Sequence, residues 1–212
     1  MPAPDSIVYT IGHSHHQIDA FLALLAGHGI TCLIDVRSTP YSRIAPQFNK
    51  PALQKALKQQ QVLYAHFDQE FGARQTDSAL LDDEGIVDFD KVRATAAFRS
   101  GVERLRRALA QGYSVCLMCA EANPFECHRF SMICSQLVRE GLEVRHILKD
   151  ATLATQQDVE GWMLQKYHKR LPQSSLFDGV VTPEDQLAFA YRLHNKEVGY
   201  RQDQESEREY DD

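Results

Sequence analysis

The 212-residue chain has no apolar run near the roughly 18 residues that a helix needs to cross a bilayer, which excludes a helical membrane span. No basic stretch precedes an apolar one in its opening, MPAPDSIVYTIG, so a secretory signal is not expected. Cysteine is sparse and odd in number: five residues without framework spacing fit free thiols in a reducing compartment better than a disulfide scaffold. Positive charge is short as well. Lys and Arg number 23 against 29 Asp and Glu, a net charge of -6, so a general attraction for nucleic acid is not indicated, although a local basic groove stays open. What is present, 43% hydrophobic and 25% charged residues, matches globular proteins and excludes wholesale disorder, collagen and coiled coil. A soluble, cytoplasmic protein is expected, long enough for one α/β domain with an extension.

The acidity sits at one end. The last twelve residues hold six acids and two arginines, a local -4, leaving -2 for the first 200. Residues 201–212 therefore read as a disordered acidic tail, 1–150 as the core domain, and 151–200 as a C-terminal extension packed on it.

Along the core, strand-like and helix-like segments alternate. Residues 6–11, 31–36, 62–67, 114–118 and 143–148 are short β-rich or apolar runs. Between them, Ile18, Phe21, Leu22, Leu24 and Leu25 recur at helical spacing, 51–60 and 98–110 read as helices, and Phe130, Ile133, Cys134, Leu137 and Val138 mark one face of another. This alternation predicts a mostly parallel sheet flanked by helices in three layers, Rossmann-like. Residues 72–90 are polar and turn-rich, a surface excursion or lid. Trp162, Leu164, Tyr167 and Leu171 suggest one helix of the extension, and 183–194 a second.

Ligands of open parallel sheets bind beyond the carboxyl ends of the strands. Three chemically unusual segments fall there: Gly12-His13-Ser14-His15-His16, Asp35-Val36-Arg37-Ser38, and the stretch from Cys119 to Arg129. Their convergence at one end of the sheet is expected. In the third, Asn123, Pro124 and Glu126 read as the cap and first turn of a helix. That would place Cys127, His128 and Arg129 in its opening turns, with a lowered thiol pKa and free N–H groups for a phosphate-like anion. Arg129, read as a first-turn arginine outside the core, would then be replaceable by alanine without unfolding the domain. Ser14 and Gln17 offer a capping box for the first helix, with His13 facing inward and His15 and His16 solvated. Asp35 is either a buried, paired carboxylate or a catalytic one. Arg37 and Arg43, with Ser38, Tyr41 and Ser42 between them, form a short cationic loop. Cys32, Cys116 and Cys134 read as core, whereas Cys119 and Cys127 keep polar company. No disulfide between those two is expected. His66, His146, His168 and His194 are isolated and carry no signal.

The Tyr9-Thr10-Ile11-Gly12-His13-Ser14 opening, Ile34-Asp35-Val36-Arg37-Ser38 with Pro40, Ser42 and Arg43, Phe48-Asn49-Lys50, and Cys119-Ala120-Glu121 followed by Cys127-His128-Arg129 together resemble one bacterial and archaeal family. That family is known only as a domain of unknown function. The resemblance covers about residues 7–148, with echoes at Ala190-Tyr191-Arg192 and Gly199-Tyr200-Arg201. It implies an α/β fold with clustered motifs and no particular activity. The chain departs from it at Phe71-Gly72-Ala73-Arg74, where the family has Leu-Gly-Gly-Arg. Leu33 to Arg37 is also similar to the rhodanese motif, but Arg129 stands ten positions after Cys119 and two after Cys127, which is not the spacing of a phosphatase loop.

Three functions fit. The favoured one is an enzyme for a small anionic, phosphate-bearing or nucleotide-like substrate. In it Cys119 or Cys127 is the nucleophile and Glu121, Asp35 or His13 the acid–base; Ser14, Arg37, Ser42, Arg43, His128 and Arg129 bind the anion. No cofactor is predicted on this reading. The alternative is a zinc or iron site of Cys119, Cys127, His128 and His13, with Glu121 nearby. The third, not favoured by the charge, is nucleic-acid binding through Arg37, Arg43 and Lys50 with Phe48 and Tyr41 as stacking surfaces. Oligomeric state is left open.

Overall fold

A computed structural model describes residues 7–174 and 179–201. The chain runs through β1 (Ile7–Gly12), α1 (Ile18–Gly27), β2 (Cys32–Asp35), α2 (Lys50–Gln59), β3 (Leu63–His66), α3 (Asp68–Phe71), α4 (Phe89–Arg93), α5 (Ala96–Ala110), β4 (Val115–Cys119), a π-helix (Arg129–Cys134), α6 (Ser135–Arg139), β5 (Glu143–Ile147), β6 (Leu153–Thr155), α7 (Gln156–Tyr167) and α8 (Pro183–Val198). The six strands form one sheet in the order β3-β2-β4-β1-β5-β6. All pairings are parallel except β5 with β6. The expected α/β architecture is therefore present, with helices on both faces and a helical C-terminal part. β6 gives little signal in the sequence because it is three residues long and buries only Ala154.

Each face of the sheet has its own core. Ile11, Leu33, Cys116 and Met118 pack against Phe21 and Leu25 of α1 and Leu53 and Leu57 of α2. Val8, Cys32, Ile34, Leu117 and Val144 pack on the other face against Phe98, Val102, Leu105 and Leu109 of α5 and Leu137 of α6. Phe21 and Leu25 lie four residues apart, so they share a face of α1, and burying each is worth about 2 kcal/mol. The connection after β1 thus leaves to one face and the connection after β4 to the other. In parallel sheets that divergence opens a crevice at the carboxyl ends.

Three expectations shift in detail. The apolar stripe of α7 is Val159, Met163 and Tyr167, spaced four apart, while Trp162 is 40% exposed and Leu171 lies past the helix end. The π-helix adds a residue to its turn and rotates α6 relative to it, so Val138 emerges to solvent although Leu137 stays buried. Residues 72–90 are fastened rather than lid-like: Ile86, Val87 and Phe89 are buried, and the Asn195 side chain accepts from Phe89 N at 2.9 Å and donates to Val87 O at 2.7 Å. Arg201, assigned to the acidic tail, bridges back to Ile86; the rest of that tail lies outside the described residues. Among the described residues, no helix is long and apolar enough to cross a membrane.

Candidate active site

The loops after β1 and β4 are zipped together past the strand ends. His13 N donates to Cys119 O at 2.9 Å and Ser14 N to Ala120 O at 2.8 Å, so the two backbones stay hydrogen-bonded past the last ladder pair, Gly12 with Cys119. Gly12 makes this possible. A Cβ there would stand 1.7 Å from Glu121 O and 2.8 Å from Ala122 Cα, so only hydrogen fits between the two backbones. The turn leaves Ser14 at φ 45°, a left-handed conformation that carries it away from the helix start. The expected capping box consequently does not form: Gln17 is the N-cap of α1 and no side chain caps it.

His13 is buried and neutral in effect. Burial, with help from the nearby Arg37 charge, drops its pKa to about 4 although the Ser14 carbonyl opposes this. Its ring stacks on Phe48 at 4.4 Å between centroids. Nδ1–H donates to Ser14 O at 2.9 Å, so Nε2 is the acceptor for Arg37 NH1 at 3.1 Å.

Arg37 is the most constrained group at the β2 end. Its Nε and backbone N–H donate to Asp35 Oδ1 at 2.9 and 3.1 Å, and NH2 donates to Asp35 Oδ2 at 2.6 Å and to Phe48 O at 2.8 Å. Asp35 is fully buried and also accepts from Tyr64 OH at 2.9 Å, while His66 Nε2 donates to Arg37 O at 2.8 Å. Of the two alternatives for Asp35, the buried, paired carboxylate is the arrangement observed. The next stretch of wall is held by Ser42 N donating to Asn49 Oδ1 at 2.6 Å and Lys50 N to Pro40 O at 3.0 Å. Phe48 is fully buried here, which removes it as a stacking surface for a nucleobase.

The β4 loop departs most from expectation. Asn123 and Pro124 begin a single 3-10 turn, Pro124–Glu126, and Cys127 is extended at φ -131°, ψ 142°. The N–H groups expected to hold an anion are taken: Phe125 donates to Asn123 Oδ1, Glu126 to Asn123 O and Cys127 to Pro124 O. The 3-10 turn therefore has no N–H left over for an anion. Arg129 is fully buried rather than peripheral. Its NH1 donates to Glu121 O at 2.8 Å, NH2 to Ala122 O at 3.2 Å and Nε to Thr10 Oγ1 at 3.4 Å, so it clamps the loop onto β1.

Around that clamp, Cys119 Sγ donates to Glu121 Oε2 at 2.9 Å, and His128 Nδ1 lies 3.8 Å from Cys119 Sγ and 3.7 Å from Cys127 Sγ. Both thiols are free. Hydrogen bonding to Cys127, reinforced by burial, holds the Cys119 thiol well above the ordinary range. Burial alone would raise Cys127 too, but the Cys119 hydrogen bond and the Arg129 and His128 charges together carry it well below. Burial and the neighbouring Cys127 charge raise Glu121; His128 is raised despite burial because Cys127 and Glu121 face it.

These groups meet in a cleft of about 290 Å³. Its floor is His13, Cys119, Ala120, Glu121 and His128; its wall is Arg37, Ser38, Thr39, Tyr41 and Ser42, and Ala73 and Arg74 adjoin that wall, with Arg74 N donating to Ser38 Oγ at 2.9 Å. Five expected site residues do not line it. These are Asp35 and Arg129, which hold Arg37 and the β4 loop by hydrogen bonds, together with Cys127, Ser14 and Arg43. Three residues carry no site signal in the sequence, Tyr64 and His66 on β3 and His146 on β5, and Arg74 stands there only as the last residue of the Phe71-to-Arg74 stretch. His146 is fully buried, with Thr10 Oγ1 at 2.8 Å from Nδ1 and Gln156 Oε1 at 3.1 Å from Nε2. A larger open hollow of about 720 Å³, bordered by Leu148, Lys149 and Trp162, holds no thiol, imidazole or guanidinium.

A doubly covered α/β sheet with a polar cleft at its carboxyl ends defines the class of molecule. The family model described as "Domain of unknown function DUF488" matches residues 17–134, and the chain belongs to that family. The matched span begins after the Tyr9-to-Ser14 motif and contains the Asp35, Cys119 and Cys127 motifs. No curated protein matches the chain, and no solved structure does.

Proposed function

We propose that the protein is an enzyme acting on a small anionic, phosphate-bearing or nucleotide-like substrate held in the 290 Å³ cleft. One observation carries this reading: a single cavity is lined both by two arginines with a row of hydroxyls and by a thiol–carboxylate–imidazole cluster. The volume lies at the small end of ligand pockets, which favours a compact substrate. Arg37 keeps one NH1 hydrogen beyond those committed to Asp35, His13 and Phe48, and Arg74 lines the same cleft. An anionic group bound between them would meet Ser38, Thr39 and Ser42. The reacting end of the substrate then lies over Glu121, a carboxyl whose pKa burial and the Cys127 charge raise, as a proton-transfer group requires.

In this reading Asp35 and His13 are positioning residues. Asp35 fixes the fork of Arg37, and His13, kept neutral, presents its Nε2 lone pair to the same guanidinium. Thiol attack fits less well. Cys127, the thiol that ionises readily, does not line the cleft, while Cys119, which does, retains its proton.

The test is calorimetric titration with inorganic phosphate and with a nucleoside monophosphate. Binding in the wild type that weakens about tenfold, or roughly 1.4 kcal/mol, in Arg74→Ala supports the reading. Absence of binding to both probes, or equal affinity in wild type and Arg74→Ala, overturns it.

A further inference from the structure

We infer that Cys119, Cys127 and His128 form a three-ligand site for a zinc-class divalent ion, with its fourth position open to the cleft. The inference goes beyond the anionic-substrate reading and does not depend on it. Its first support is the donor geometry. Tetrahedral zinc with Zn–S bonds near 2.3 Å and Zn–N bonds near 2.0–2.1 Å requires sulfur-to-nitrogen separations of about 3.6 Å. The two sulfurs lie 3.8 and 3.7 Å from His128 Nδ1, and all three donor atoms fall within 4.8 Å of one another. Both sulfur-to-nitrogen separations are therefore within a few tenths of an ångström of those that a bound ion requires.

The second support is how the ring is aimed. His128 Nε2 is buried and has no hydrogen-bond partner among the described residues. The ring's polar contacts among the described residues are therefore those of Nδ1 with the two sulfurs. Soft thiolates with one imidazole select zinc over magnesium or calcium, which take oxygen ligands.

The third support is charge. On binding, the ion displaces to solvent whatever protons the two thiols and His128 Nδ1 carry, and the two thiolates cancel its charge. Arg129, fully buried, and the Glu121 carboxylate then balance each other beside it. Arg129 N–H already points at Cys127 Sγ at 3.4 Å, a donor suited to a thiolate. Because Cys119, Glu121 and His128 line the cleft and Cys127 does not, the unfilled position faces the cleft, with Glu121 Oε2 beside it. Three protein ligands with one open position characterise catalytic rather than structural zinc. His13 falls outside this ligand set because both its ring nitrogens are engaged, by Ser14 O and by Arg37.

The test uses full-length, untagged protein. Metal analysis of the purified protein and zinc titration against a chromophoric chelator should give one equivalent, released by chelation. Cobalt(II) loading should produce the thiolate-to-metal charge-transfer absorption of a tetrahedral site. In Cys127→Ser and His128→Gln, checked for folding by circular dichroism, zinc affinity should fall by on the order of 100-fold or more. Failure to bind zinc or cobalt overturns the assignment. So does unchanged affinity in both folded variants, or a Cys119–Cys127 disulfide in protein alkylated at lysis. Phosphate binding by metal-free protein would leave the cleft reading standing even if the metal site failed.

Discussion

Asp35 takes three hydrogen bonds from Arg37, a residue only two positions away, and does so without any solvent exposure of its own. A buried pair of this kind is costly to break from one side. Asp35→Asn should lower stability by about 3–5 kcal/mol, because the guanidinium is left buried and unmatched. The double variant Asp35→Asn, Arg37→Met should cost less than the two single losses combined. Urea midpoints of all four proteins check this; additive losses would show that the pair is not coupled.

Arg129→Met should destabilise by on the order of 3 kcal/mol, since the carbonyls of Glu121 and Ala122 lose their donors in the interior. Zinc affinity and stability should fall together. A variant as stable as wild type would contradict the role of this arginine as a clamp.

His146 makes stability depend on acidity. Burial, reinforced by the Arg129 charge, drops its folded pKa to about 3 from an ordinary 6.5. Above pH 6.5 it is neutral in both folded and unfolded chains and carries no pH dependence. As pH falls below 6.5 only the unfolded chain takes the proton, and stability drops by about 1.4 kcal/mol per unit until the folded pKa is reached. Between pH 7.5 and 5, His146→Asn should remove roughly 2 kcal/mol of the acid-induced loss. Unfolding free energies at the two pH values decide; identical pH dependence in both proteins refutes the assignment.

Gly12→Ala should cost about 1–3 kcal/mol as the loop retreats from the new methyl group. The same retreat should weaken zinc binding more than Ala120→Gly does, as read by chelator competition.

The sheet was legible because each parallel strand is a short apolar run closed by polar or glycine-containing segments, and because helical spacing fills the gaps. The meeting of the His13, Arg37 and Cys119 loops was legible for the same reason: strands that run parallel end together. Strand order was not. Tyr64 and His66 reach Asp35 and Arg37 only because β3 lies beside β2, and His146 reaches Thr10 only because β5 lies beside β1. Arg129 misled because a charged residue near a helix start is ordinarily solvated, and nothing local reveals that two carbonyls fold over it. Asn123, Pro124 and Glu126 carry a helix-start pattern, yet Cys127 leaves the turn to join the thiol cluster, and the helix begins two residues later.

The missing side chain at Gly12 sets a gauge. Where the loops of β1 and β4 touch backbone to backbone, their spacing is fixed by peptide thickness and not by the size of any residue. The groups mounted on the two loops, His13 on one and Cys119, Glu121 and His128 on the other, can therefore be exchanged without changing the span of the cleft floor. A series of variants at Glu121 or His128 would keep the aperture constant while the chemistry changes, which makes this floor a scaffold for separating what the groups do from where they stand.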